Sequence, residues 1–233
     1  VSHLYRTSAR LNTTLTSDGG MDTTVRAIYW PTSNPDAAET LYVNYGQPVA
    51  EGAVPIDLAG LAAGTEYTYR VEAVNAVGVT ALSEKTLTTH ADSTPLGLYI
   101  AATAAGRGDG SSAANASADY QDVINAATHA GDEIRVLAGT LTIDAELLVS
   151  GHPGLAIRGG YTGTGDDRSG ETIIRPEGVR VFRIFVATSS TITFDRLTIT
   201  DGKYTYPNVL YGQGIALLSA CHATVTNCTF LRN

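Results

Sequence analysis

Apolar and polar residues alternate along short stretches of the first 92 residues, and glycine, proline, asparagine or aspartate separates these stretches. Strict alternation places apolar side chains on one face of a strand, so each stretch predicts a half-buried β-strand. The candidate strands read SARLNTTL, TTVRAIYW, TLYVNY, AVPIDL, TEYTYRVEAV and ALSEKTLTT. Such strands at intervals of about 8 to 12 residues are typical of a β-sandwich. We predict a sandwich domain over residues 1–92 and a linker over residues 93–97.

A helical spacing replaces the alternation between Asp119 and Ala130. Four apolar residues recur there at steps of three and four, the spacing of one helix face: Tyr120, Val123, Ile124 and Ala127. Gly131 follows, and glycine accepts the left-handed backbone that ends many helices. From Ile134 the period of two resumes. We predict a short amphipathic helix at about residues 119–130, followed directly by buried strand.

A repeat of apolar residues then runs to the end of the chain. In its clearest form the steps are two, three and two, and it occurs twice at a distance of 31 residues: Ile192, Phe194, Leu197, Ile199 and Ala223, Val225, Cys228, Phe230. Two earlier rows follow it more weakly: Ile134, Val136, Gly139, Leu141 and Leu155, Ile157, Gly160, Thr162. A step of two keeps inward side chains on a strand, and a step of three inserts one bend residue. This pattern predicts a parallel β-solenoid, with loops at 163–171 and 202–214 absorbing the uneven spacing.

Composition narrows the class of protein. The net charge of −8 argues against nucleic acid as a partner, because phosphate binding requires a basic surface. No apolar run approaches the roughly 20 residues of a membrane span, so we predict no transmembrane segment in this chain. The two cysteines, Cys221 and Cys228, are too few for a disulfide framework. An acidic chain rich in threonine, serine and glycine favours an extracellular location.

One stretch of the first domain closely resembles fibronectin type III domains. It runs Leu61-Ala-Ala-Gly64-Thr65-Glu-Tyr67 and continues Val71-x-Ala73-x-Asn75-x-x-Gly78. Trp30-Pro31, at the end of the second candidate strand, resembles the same family. The resemblance implies structural roles for Trp30 and for Tyr67, the latter as a tyrosine corner whose hydroxyl ties the turn at residues 61–64 to the sheet. Such domains are usually spacers or binding modules, and nothing here resembles an active site.

A second resemblance covers about residues 98–233. The order of motifs is similar to the N-terminal part of secreted bacterial right-handed parallel β-helix proteins: Gly108-Asp109-Gly110-Ser111-Ser112, the predicted helix, Ala130-Gly131-Asp132-Glu133-Ile134 and Ile157-x-Gly159-Gly160-Tyr161-x-Gly163. The resemblance implies an all-β chain, with a fibronectin III-like sandwich leading into a right-handed parallel β-helix. It also implies that the helix caps the open end of the solenoid, with Gly131, Gly159 and Gly160 as structural residues. Those families include polysaccharide lyases and hydrolases and surface adhesins.

Three tyrosines in the insertion at 202–214 are candidates for glycan binding. Tyr204, Tyr206 and Tyr211 lie on a loop beside the predicted sheet, where their rings can stack on sugars. The alternative is that they pack against the flank of the solenoid.

Two adjacent carboxylates, Asp166 and Asp167, offer oxygen ligands for calcium, the one cofactor that we consider. The alternative is a solvated turn with Arg168 as their neighbour. Asp195 and Asp201 flank a bend, but two carboxylates alone do not make an active site, so we assign no catalytic residue.

We therefore expect an extracellular or bacterial cell-surface protein with a structural or adhesive role, a rigid rod whose loops meet glycans or other surface proteins. The first alternative is a carbohydrate-active enzyme with its catalytic coils beyond residue 233. The second is a filament subunit that assembles through an uncapped last coil. Because the repeat stops in mid-pattern at Asn233, we expect the β-helix to continue past it.

Overall fold

The computed structural model describes residues 1–178, 182–202 and 214–233, together with the backbone of two short strands, Thr205–Tyr206 and Val209–Leu210. The chain divides into two compact units, Val1–Thr94 and Pro95–Asn233. The division falls inside the predicted linker. Within the described residues, no helix has the length and apolar content needed to cross a membrane.

The first unit is an antiparallel β-sandwich. Its strands are β1 (Ser8–Leu15), β2 (Thr24–Pro31), β3 (Glu39–Tyr42), β4 (Gly52–Ala59), β5 (Glu66–Asn75), β6 (Gly78–Ala81) and β7 (Lys85–Thr88). One sheet pairs β1 with β4, and the other has the order β3, β2, β5, β6, with β7 also pairing with β5. Alternating side chains meet between the sheets, where Leu11, Ile56 and Val71 are buried.

Two of the six candidate strands differ from the prediction. The third ends at Tyr42, because Asn44 and Tyr45 adopt left-handed backbone with φ of +48° and +54°, and such residues cannot continue a strand. The last, ALSEKTLTT, contributes to two strands, β6 and β7, which both pair with β5.

Tyr67 makes the contact predicted for a tyrosine corner: its hydroxyl accepts a hydrogen bond of 2.9 Å from the backbone N–H of Ala62. Trp30 differs from a core residue. The alternation along β2 sends Tyr29 inward and leaves Trp30 partly exposed on the other face, where the guanidinium of Arg70 lies 5.9 Å from its ring centre.

The second unit is a parallel β-helix. Its strands are β8 (Gly97–Ile100), β9 (Glu133–Leu137), β10 (Gly139–Ile143), β11 (Leu147–Ser150), β12 (Leu155–Tyr161), β13 (Thr172–Pro176), β14 (Phe185–Thr188), β15 (Thr191–Asp195), β16 (Thr198–Thr200), β17 (Thr205–Tyr206), β18 (Val209–Leu210), β19 (Ile215–Leu218), β20 (His222–Thr226) and β21 (Thr229–Leu231). In the described part of the chain, sheets run along three faces, in the orders β20, β15, β12, β9, β8, then β10, β13, β16, β21, and β11, β14, β19. Pairing between successive coils is parallel, so the predicted all-β fold with a parallel β-helix is confirmed.

The repeat of 31 residues is confirmed by the strand register, which pairs the two rows position by position: Ile192 with Ala223, Phe194 with Val225, and Ile199 with Phe230. The coil turns at residues in left-handed backbone, and these too recur after 31 residues: Ser189, Arg196 and Asp201, then Ala220, Asn227 and Arg232. Arg196 and Asn227 are the bend residues that the step of three requires.

The predicted alignment of the two earlier rows is wrong by one inward position. Ile134 pairs with Ile157, not with Leu155. The register of β12 against β9 also shifts between Arg158 and Tyr161, because the chain bulges there.

The same bulge extends β12 to Tyr161, so the second strand of that coil starts only at Thr172. Ile174, in the middle of β13, is buried and pairs with Leu141 and Ile199. It therefore takes the inward place that the prediction gave to Thr162. The predicted loop at 163–171 is present as the connection between β12 and β13.

The helix α1 spans Tyr120–Ala126 and is shorter than the predicted 119–130. The Asp119 carboxylate caps its start by accepting from the N–H of Asp122. The helix ends early because the next turn is held by other groups: the ring of His152 bonds the Ala127 carbonyl at 2.6 Å, and the Asp132 carboxylate accepts from the N–H of His129. Gly131, predicted to stop the helix, is left-handed with φ of +90° but lies in the turn before β9.

The buried face of α1 covers the first coil, as a cap would. Val123 and Ile124 are at most 1% exposed. Ile124 borders the same small internal cavity as Val136, Leu141 and Leu147, which come from three different faces of that coil.

Candidate functional site

Polar side chains gather on the outer face of the five-stranded sheet of the β-helix. Inward residues alternate with outward ones along each strand, and the parallel register sets one outward residue of each strand in a row: Tyr99, Arg135, Arg158, Asp195 and Thr226. We use the name outer-face cluster for this row's first four residues and the side chains that contact them: Tyr99, Glu133, Arg135, Arg158, Tyr161, Asp166, Arg168 and Asp195.

Arg135 lies at the centre of the outer-face cluster, between two aromatic rings. Its guanidinium carbon is 5.6 Å from the ring centre of Tyr99 and 5.4 Å from that of Tyr161, within the range of a cation–π contact. Its Nη1 donates to the hydroxyl of Tyr99 and to the carboxylate of Asp166, each at 3.0 Å. The rings therefore fix the plane of the guanidinium.

Glu133 binds the neighbouring donors. Its carboxylate accepts from the hydroxyl of Tyr161 at 2.5 Å and from Nη1 of Arg158 at 3.1 Å. Burial, and then the hydrogen bond to Glu133, raise the pKa of Tyr161 to about 12. Tyr161 is therefore a neutral donor at physiological pH, and its phenol does not act as a base.

Asp195 joins two coils and the loop after β12. One oxygen accepts from Thr226 and Asn227, both at 2.9 Å, and the other accepts from Nη1 of Arg168 at 2.8 Å. Burial alone would raise the pKa of Asp195, but the hydrogen bonds from Asn227, Arg168 and Thr226 outweigh it and hold the pKa below its ordinary value. The carboxylate is thus ionised at neutral pH and stabilises the stacking of coils.

We expect Asp195→Asn to lower the free energy of unfolding at pH 7 by about 2 kcal/mol, because it removes a charge-assisted bond. A carboxyl group with a depressed folded pKa contributes its stabilisation above its unfolded pKa and loses it as the pH falls through the folded pKa. The gap between wild type and variant should therefore close in acid, as measured by urea unfolding at several pH values.

The matched control is Asp57→Asn, which removes an exposed partner of Arg10 in the sandwich and should cost at most about 1 kcal/mol. A gap for Asp195→Asn that stays constant into acid would contradict the stabilising role of its charge.

The loop at 162–171 lies over the outer-face cluster. Asp167 stabilises the loop by accepting from the hydroxyl of Thr162 at 2.9 Å and from the N–H of Ser169 at 3.0 Å. The next residue, Arg168, reaches Asp195 and also donates to the carbonyl of Gly159. The loop thus places Asp166 and Arg168 on the same face although both lie outside the strands.

The two carboxylates predicted for calcium are separated in their contacts. Asp166 pairs with Arg135, and Asp167 has its oxygens engaged by the loop itself. Over the described ranges, no three His, Cys, Asp or Glu side chains are grouped so as to hold a metal. Calcium binding remains a prediction, and the observed contacts match the solvated-turn alternative.

The predicted tyrosine site lies outside the described residues. Tyr204 and Tyr211 fall in the undescribed segments, and only the backbone of Tyr206 is described, in β17. Sequence reasoning missed Glu133, Arg135, Arg158 and Tyr161 as site residues. The one usable signal was their outward position on strands whose inward partners had been recognised.

The arrangement favours binding over catalysis among the residues described. Both buried carboxylates, Glu133 and Asp195, are ion-paired with arginine, and neither is set up as the protonated acid that glycoside cleavage requires. The guanidinium groups, in contrast, have the planar donor geometry that recognises a carboxylate.

No family model matches the chain, and no curated protein matches it. Among solved structures, the chain is similar to the sensor domain of the anti-sigma factor RsgI4 of Pseudobacteroides cellulosolvens, at 22% identity over 39% of this chain and 70% of that one, with a TM-score of 0.31. It is also similar to a family 28 exopolygalacturonase of Yersinia enterocolitica, at 14% identity over 82% of this chain and a TM-score of 0.31. The match spans 38% of that enzyme's chain. Likenesses this distant carry no inference about activity.

Proposed function

We propose that the protein is an extracellular, surface-associated β-helix whose outer-face cluster binds an acidic polysaccharide. The observation that carries this proposal is the set of arginines on one face of the parallel sheet. Arg135, Arg158, Arg168 and the exposed Arg196 are four of only 15 basic residues in a chain of net charge −8. A local concentration of guanidinium groups beside tyrosine rings suits the carboxylates and ring faces of a uronate polymer.

The face has the shape that an extended polymer needs. Five parallel strands form it, and neighbouring strands lie about 4.8 Å apart, which makes a long surface with regularly spaced side chains. Arg158 is 39% exposed and Arg168 is 22% exposed, so both reach solvent while they hold their protein partners. We include Tyr204, Tyr206 and Tyr211 in the proposal as additional stacking residues.

The fibronectin III-like sandwich is proposed to act as a spacer or a second binding module. Assembly through the last coil is also retained as a proposal, because Leu217, Phe230 and Leu231 there are each between 45% and 48% exposed. A filament would show a concentration-dependent mass in sedimentation velocity.

The test of binding uses polygalacturonate as an anionic probe and its methyl-esterified form as a matched neutral polymer. We expect Arg158→Gln to weaken binding of polygalacturonate roughly ten-fold in calorimetric titration, because a hydrogen-bonded ion pair with the ligand is lost. The affinity of the wild type should also fall as salt is raised.

The control is Arg175→Gln, at an exposed position of β13 on a different face of the same β-helix. It removes the same charge and should leave the affinity unchanged within about two-fold. Equal losses in both variants would show a diffuse charge effect and would contradict a site at the outer-face cluster.

The second candidate function is a glycoside-cleaving enzyme. The observation in its favour is that Glu133 and Asp195 stand on the same outer face, as the paired carboxylates of glycosidases do. Release of reducing ends from polygalacturonate, lost in Glu133→Gln, would put this candidate first. Binding without turnover would leave the adhesive function in place.

A further inference from the structure

Arg135 has more hydrogen-bonding capacity than the protein uses. Its guanidinium carries five N–H donors. Its Nη1 bonds Tyr99 and Asp166, whereas its Nε is buried and has no hydrogen-bond partner among the described residues. The nearest carboxylate oxygen to Nε belongs to Glu133, at 3.4 Å. Stacking between two rings holds the guanidinium in one orientation and keeps it ready for a planar anion.

Asp166 fills the outward side of this guanidinium in an easily reversed way. The Asp166 side chain is 85% exposed, and within the described chain its carboxylate pairs with Arg135 alone. An ion pair with so exposed a partner contributes little, because water screens it. The neighbouring Asp167, bonded to Thr162 and Ser169, keeps the loop folded without help from Asp166.

The backbone around Asp166 also allows its carboxylate to move away. Gly163 and Gly165 flank the turn with φ of +88° and +52°. A side chain built on Gly165 would meet nothing within 4 Å, which leaves open space beside Asp166. The loop can therefore change locally while Arg168 stays on Asp195.

We infer that Arg135 is a carboxylate-binding site that Asp166 occupies in the absence of ligand, and that a ligand carboxylate displaces Asp166 from it. Asp166 thus acts as an internal competitor. The identity of the ligand as a uronate polymer rests on the proposed function, but the competition at Arg135 does not.

Removal of the competitor has a defined consequence. When Asp166 no longer bears a charge, a carboxylate meets a free guanidinium, and its apparent affinity rises by the amount that the internal pair contributed. For an exposed pair this corresponds to about a two- to five-fold gain.

The experiment follows the Nε–Hε resonance of Arg135 by NMR during titration with sodium acetate at constant ionic strength. Asp166→Asn should lower the midpoint of the titration about two- to five-fold relative to wild type. The control is Glu171→Gln, at the exposed end of the same loop, which changes the charge equally without touching Arg135. Its midpoint should match that of the wild type.

The inference is overturned if acetate leaves the Arg135 resonance unmoved in every variant. It is also overturned if Asp166→Asn and Glu171→Gln behave alike. Failure of the proposed function looks different, because polygalacturonate would then fail to bind while acetate still shifted Arg135. Conversely, binding of polygalacturonate that is weakened by Arg158→Gln but unchanged by Asp166→Asn keeps the proposed function and rejects the competition.

Discussion

Phe194→Ala is expected to lower the free energy of unfolding of the β-helix by about 3–5 kcal/mol. The side chain of Phe194 is 0% exposed, and its ring centre lies 4.9 Å from that of Phe185 on another face of the β-helix. Truncation removes this contact and leaves a cavity between stacked coils that the rigid strands cannot fill. Urea unfolding followed by circular dichroism, with the transition of the second unit fitted separately, measures the loss.

The matched control for Phe194→Ala is Phe230→Ala. Phe230 also faces inward in the repeat, but it is 46% exposed in the last coil. Roughly half of its apolar surface is already in water, so we expect a cost below about 2 kcal/mol. Equal costs for the two variants would contradict a core built by stacking of inward rows.

Gly159→Ala is the second change with a large expected effect, a loss of about 3 kcal/mol. A Cβ at this position would lie 2.3 Å from the carbonyl oxygen of Arg196 and 2.9 Å from Cβ of Thr172. One of these is backbone in the next coil and cannot rotate away. The coils would have to separate locally, and the bulge that carries Tyr161 would shift with them.

Gly97→Ala provides the comparison for Gly159→Ala, since both glycines lie in strands of the same sheet. The nearest atom to a Cβ at Gly97 is Nε of Arg135 at 3.8 Å, an ordinary contact. We expect a change within about 1 kcal/mol, measured by the same urea unfolding. If Gly159→Ala were as mild, the close approach of the coils at the bulge would be wrong.

The fold was predictable where the apolar spacing is regular. The 31-residue displacement between the rows of Phe194 and Val225 reappears as direct strand pairing, because a solenoid converts sequence period into register. The prediction failed between Leu155 and Thr162. The bulge at Gly159 and Gly160 changes the register there, and glycine carries no apolar signal that would reveal it.

The site was much less predictable than the fold. Arg135, Arg158 and Asp195 occupy outward strand positions, which in sequence look like those of any solvated face. They become neighbours only through the register of three coils, whose lengths differ. Arg168 was harder still, because it belongs to a loop and reaches Asp195 across 27 residues of sequence. Long-range contacts of this kind depend on tertiary geometry that local patterns do not encode.

A crystal structure of the protein with a trimer of galacturonic acid tests the central claim most directly. The account predicts a saccharide on the outer face of the five-stranded sheet, with a carboxylate within about 3 Å of Arg135 or Arg158 and the Asp166 side chain turned away. A trimer bound on another face of the β-helix or on the sandwich would contradict it. So would an outer-face cluster that keeps every contact described here in crystals saturated with the trimer.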